Sequence, residues 1–169
     1  MPETEGEQAS APVLLDAGVV IGALLAGDPR HREVCPFVEQ ASQGAFPAYT
    51  TAGILSEVYG ALTWEQAAPR HDPAEAAAAV RLLVEPLSAI VVLDEGLDVM
   101  LVALALATSH QLTARRIHDA RHAAAALAGG ITALYTYDID DWRGFDADGL
   151  RIVGPPTTLA RLTRLESKI

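Results

Sequence analysis

At 169 residues the chain is long enough for one domain with its own core and too short for two ordinary ones. Hydrophobic residues make up 50% and charged residues 20%, which excludes a disordered polymer, and the longest apolar stretch, Val99 to Ala107, is half the length a membrane helix needs. A formal net charge of −10 excludes a protein that coats nucleic acid nonspecifically, because that binding relies on basic surface, but it leaves a nuclease open: clustered carboxylates are offset by bound cations.

Residues 1–11 are acidic and polar, with neither a basic leader nor an apolar segment, so a frayed tail is expected there, no export, and a single domain over residues 12–169. One cysteine, Cys35, rules out an intrachain disulfide and a thiolate metal cluster, and the expected location is cytoplasmic. The first element is the apolar triplet Val13-Leu14-Leu15, a strand of the kind covered on both faces in a parallel sheet. Asp16 follows directly, either as the cap of the next helix or as a carboxylate at a strand's carboxyl end, where α/β sheets hold ligands. Burying it there calls for something positive beside it.

A helix is expected from Ala17 to Ala26, a second, amphipathic one from Arg30 to Ala41, and a short strand over Ala45 to Thr50. Thr51 is placed to cap a helix reaching Trp64, with Glu57 among its apolar positions. Pro73 opens an alanine-rich helix that Pro86 closes, Ser88 to Leu93 reads as another buried strand, and Asp94 and Glu95 read as caps of a buried helix from Gly96 to Ser109. A further helix from Ala114 to Ala128 carries Asp119 near its start and stops at Gly129-Gly130. Strands at residues 131–136 and Leu150 to Val153 follow, with Asp138, Asp140 and Asp141 between them, and a basic helix with Arg161, Arg164 and Lys168 ends the chain. Alternating strands and helices predict an α/β fold with a parallel sheet.

Asp16, Glu57, Asp119 and Asp138 come from four separate pieces of chain. Such acids converge stably only around cations, and an all-oxygen set suits Mg²⁺ or Mn²⁺, which supply the activated water and charge neutralisation that phosphodiester hydrolysis requires. His118 and His122, four apart, also imitate a helical zinc motif, though no third ligand is identifiable. Arg115, Arg116 and Arg121 around Asp119 are candidates for RNA phosphates, or solvated helix charges. Tyr59, Trp64 and Trp142 read as packing residues before base-stacking ones, and His122 as a surface histidine at the cleft's border.

Leu14-Leu15-Asp16, Ser56-Glu57-Val58, His118-Asp119-Ala120 and Thr136-Tyr137-Asp138-Ile139-Asp140, in this order and spacing, resemble the PIN-domain nucleases, and in size and pattern the VapC-type toxins of toxin–antitoxin pairs. The resemblance covers about Pro12 to Pro155. It implies a three-layer fold with a five-stranded, mainly parallel sheet flanked by helices. It also implies divalent-metal-dependent endoribonuclease activity, a metal-binding quartet of Asp16, Glu57, Asp119 and Asp138 with Asp140 as accessory, and Thr136 as a supporting hydroxyl. The partners implied are an RNA substrate, a cognate antitoxin and a second copy in a homodimer, with no membrane. The competing expectation is a catalytically silent PIN-like module that binds RNA or protein. Two departures bear on the choice: Gly18 stands where the family often has Asn or Ser, and Asp141 adds a residue before Trp142.

Overall fold

The computed structural model describes residues 11–167. Of the expected tail only Ala11 falls among them, and Lys168 lies outside. Within these residues the strand β1 (Val13–Leu15) is central, flanked by β2 (Ala48–Thr51) and β4 (Ala133–Tyr135), with β3 (Val91–Leu93) and β5 (Arg151–Gly154) at the edges. Every pairing is parallel. Leu14 and Leu15 are fully buried, as an unbroken apolar run requires when both faces of a sheet are covered.

The chain leaves β1 toward β2 and β3, then returns to the other side for β4 and β5. The crevice at the carboxyl ends of β1 and β4 is therefore the topological switch point of the sheet, the place where open α/β sheets bind ligands. Leu15 pairs with Tyr135, and the ladder continues past both strand ends: Asp16 N–H donates to the Tyr135 carbonyl at 3.1 Å and Thr136 N–H to that of Gly154 at 2.9 Å. These bonds fix the backbone of Asp16 and Thr136 side by side at the crevice.

Helices α1 (Ala17–Leu24), α2 (His31–Ser42), α3 (Ala52–Thr63), α4 (Pro73–Leu82), α5 (Leu97–Ser109) and α6 (Ile117–Ala128) flank the sheet. A one-turn α7 (Ile139–Trp142), α8 (Pro156–Glu166) and two 3-10 turns at Ala114–Arg116 and Arg143–Asp148 complete the described elements. Local chemistry accounts for their starts. Thr51 Oγ1 accepts from Ile54 N at 3.1 Å, and Asp72 and Glu75 form a reciprocal capping box ahead of Pro73. Ala123 to Ala126 of α6 are all buried, short side chains that let this helix pack closely on α5 and the core. No helix among the described residues is long and apolar enough to cross a membrane.

Three local expectations change. The β-branched run after Ser88 gives an edge strand, with Val91 50% exposed, because no further strand pairs beyond β3. The apolar stretch Val99 to Ala107 is buried on one side only: Val99, Ala103 and Leu106 face inward, while Leu101, Val102 and Leu104 are exposed. Asp94 and Glu95 do not cap α5. Its cap is Gly96, with no side-chain bond, and the Glu95 carboxylate turns into the interior instead.

Candidate active site

At the switch point lies a cleft of about 550 Å³ lined by six carboxylates, Asp16, Glu57, Asp119, Asp138, Asp140 and Asp141, and by Arg30, Tyr137 and Arg161 among others. All four acids of the expected quartet reach it, and so does Asp140. Asp16 serves in both of the ways left open for it. One oxygen accepts from Ala17 N at 2.8 Å and caps α1, and the other accepts the Thr136 hydroxyl proton at 2.6 Å. Thr136 Oγ1 in turn accepts from Asp138 N at 3.0 Å, so one buried hydroxyl positions the first and last acids together. Asp138 itself starts α7, accepting from Asp141 N at 3.2 Å.

The acids feel one another. Burial raises the pKa of Asp16 against the pull of the Thr136 hydrogen bond, and Glu57 adds to the rise. Burial, with the charges of Asp141 and Asp16, pushes the Asp119 carboxyl up to about 7. Such a site carries negative charge that the protein leaves uncompensated, and its donors are all hard oxygens, so a divalent cation of the Mg²⁺ or Mn²⁺ type fits it in charge and chemistry. Among the described residues no three His, Cys, Asp or Glu side chains stand close enough to hold an ion between them as oriented. Mg²⁺ does not require that, since it keeps several waters and takes one or two carboxylates.

Glu57 is shared with a second, buried network. His122, expected at the surface, is 1% exposed. Its Nε2 donates to Glu57 at 3.0 Å, while Nδ1 faces Thr51 Oγ1 at 2.9 Å and Glu95 at 3.2 Å. Burial works against a charge on this ring, but the hydrogen bonds to Glu57 and Glu95 outweigh it and push the pKa up to about 9. Glu95, which burial alone would raise, is brought down to about 2 by His122, by Gly53 N at 2.7 Å and by the Arg121 charge. Both ring nitrogens of His122 are thus occupied and His118 points to solvent, which removes the paired-histidine zinc site.

A hollow adjoining the cleft shares Glu57, Asp119 and Asp141 with it and is walled by Arg115, Arg116, Arg121 and His118. The three arginines expected to meet RNA are gathered here, but not equally free. Arg121 is paired with Glu95 at 2.9 Å and Arg116 with Asp141 at 3.3 Å, whereas Arg115 is exposed with no ion pair to a described residue. Trp142 is buried against Phe145 with ring centroids 5.7 Å apart, so it packs; Tyr59 and Trp64 are exposed.

The PIN domain family model matches residues 13–147, which is most of the chain. The chain belongs to the PIN-domain family. The similar solved structures carry the same fold at low identity. VapC20 of Mycobacterium tuberculosis, described as a sarcin-ricin loop cleaving toxin, is 22% identical with a TM-score of 0.64, over 85% of this chain and 99% of that one. VapBC2 of Rickettsia felis, solved bound to a DNA fragment from its promoter, is 14% identical with a TM-score of 0.57, over 83% and 96%. FitAcB of Neisseria gonorrhoeae is 18% identical with a TM-score of 0.55, over 85% and 97%. No curated protein matches the chain in sequence. Arg30 had no readable signal as a site residue, while Glu95, His122 and Asp141 were noted in other roles; they reach the site through contacts distant in sequence or through a loop one residue longer than the pattern.

Proposed function

We propose that this PIN-domain protein is a divalent-metal-dependent endoribonuclease, with water as the nucleophile, acting as the toxin of a type II toxin–antitoxin pair. The observation that carries the reading is the meeting of Asp16, Glu57, Asp119 and Asp138 in one cleft at the switch point. Asp16, Asp119 and Asp138 would hold Mg²⁺ or Mn²⁺, with Glu57 acting directly or through water and Asp140 as accessory. Such an ion, when bound, supplies a water of lowered pKa and neutralises charge on the phosphate. Thr136 keeps Asp16 aimed into the cleft, and the wall of Arg115, Arg116 and Arg121 receives the phosphates of the RNA strand, Arg115 most freely. The substrate class is structured RNA, by likeness to the toxin VapC20. A cognate antitoxin and a homodimer partner are part of the reading, with exposed Tyr59, Trp64 and Leu82 on α3, its C-terminal turn and α4 as apolar contact surface, and the setting is the cytoplasm.

Cleavage of a structured RNA by wild type and Asp16→Asn, with Mg²⁺, Mn²⁺ or chelator, tests the proposal. Expected are metal-dependent cutting, its loss in the variant at unchanged melting temperature, and 5′-phosphate ends. A 2′,3′-cyclic phosphate product, or an unimpaired variant, would overturn it. The competing reading is the silent binding module, to which Gly18 gives standing because a polar group near Asp16 is missing there. Absence of Mg²⁺ or Mn²⁺ binding in calorimetry would decide for it.

A further inference from the structure

Arg30 lines the cleft together with Asp16, whose charge it feels, and it is rigidly held. Its Nε and Nη2 donate to the two oxygens of Asp28 at 2.9 and 2.6 Å, and its backbone N–H donates to Asp28 at 2.8 Å. The Tyr137 ring lies beneath the guanidinium at 5.3 Å, its own hydroxyl anchored on Glu33. This clamp consumes one edge of the fork and leaves Nη1 without a hydrogen bond to any described residue. Nη1 stands in the cleft over Gly18, 3.3 Å from where a Cβ at that position would sit. A side chain at residue 18 would press on the guanidinium, and glycine leaves it room.

We propose that Arg30 is a phosphate-binding residue of the cleft, offering the two N–H groups of Nη1 to a backbone phosphate of the substrate strand. The inference rests on the nuclease reading. A polyanion entering the cleft meets six carboxylates, and the cations lining it are Arg30 and the exposed Arg161. A guanidinium fixed in advance loses little entropy on binding, and its planar edge matches phosphate oxygens. A mere counter-ion for Asp16 would not need its donors aimed away from Asp28 into open space.

Binding of a short single-stranded RNA oligonucleotide is measured across a salt series with Ca²⁺ in place of Mg²⁺, for wild type, Arg30→Met and Arg30→Lys, beside Ca²⁺ isotherms and melting curves. Expected for Arg30→Met is a loss of about tenfold to a hundredfold in affinity, the size of a charged hydrogen-bonded contact, and a salt slope shallower by about 0.7, the value for one phosphate on a single strand. Arg30→Lys keeps the charge without the fork and falls between. Unchanged affinity and slope in Arg30→Met, with altered Ca²⁺ binding, would make Arg30 a counter-ion only and overturn the inference while leaving the nuclease standing. A wild type that neither cuts RNA nor binds the oligonucleotide would overturn both. Failure of the Met variant alone to fold leaves the Lys variant, and Gly18→Val, which displaces Nη1, to decide by the same slope.

Discussion

Replacing His122 by Gln removes a buried charge while keeping a side chain of similar reach that still donates. In the folded protein the ring is charged up to a pKa of about 9, against an ordinary value of 6.5, because Glu57 at 3.0 Å and Glu95 at 3.2 Å bind its two N–H groups. A raised histidine pKa stabilises the fold fully below the unfolded value and loses that contribution as pH climbs to the folded one. Integrating over that window gives about 3 kcal/mol at pH 6 and about 0.4 kcal/mol at pH 9. The lowered pKa of Glu95, about 2, describes the same contact from its other side and is not added. It sets the acid limit: the stability is present above the ordinary glutamate range and is lost as pH falls toward 2. Urea denaturation of both proteins in chelator, at pH 6 and pH 9, measures the difference. The wild type should lead His122→Gln by kcal/mol at pH 6 and by little at pH 9. An equal lead at the two pH values would refute the reasoning, because a lost packing contact does not titrate.

Thr136→Val keeps the shape of a buried side chain but removes both the proton donated to Asp16 at 2.6 Å and the acceptor for Asp138 N. Loss of such support around a metal ligand costs about 10- to 100-fold, which Mn²⁺ binding by calorimetry and RNA turnover should both register. Gly53→Ala places a methyl group against Arg121 and the His122 ring at the start of α3. Arg121 can swing away, but the triply bonded His122 cannot, so a loss of about 1 to 3 kcal/mol is expected in urea denaturation; no loss would mean that the ring is less fixed than its hydrogen bonds imply.

Residues whose roles follow from their neighbours in sequence were legible. An apolar triplet followed at once by Asp16, the Thr51 cap and Pro73 ahead of the alanine-rich run each announce an element start, and the order of four acid-bearing segments carries the family and the cleft. What was hidden depends on the sheet's order. A β-branched run reads alike in a covered and an edge strand, so the exposure of Val91 follows only from β3 having one neighbour. Glu95 looks like a helix cap because it precedes α5. It turns inward because Gly53 N and His122, 42 and 27 residues away along the chain, offer it better partners. Arg30 reads as the opening of an amphipathic helix, and nothing local links it to Gly18.

The net charge of −10 describes the molecule at a distance and misstates what a strand of RNA would meet. Two charge systems share Glu57. Toward the interior, His122, Arg121 and Glu95 close a compensated network whose charges hold one another. Toward the cleft, Asp16, Asp119 and Asp138 face a space where one lining cation, Arg30, already has one edge committed to Asp28. Because His122 holds one oxygen of Glu57 and the residue also lines the cleft, Glu57 is the natural boundary between the two. On the proposed reading, cations at the site and arginines along its rim would complete the balance that the carboxylates leave open, which is how an acidic protein would act on a polyanion.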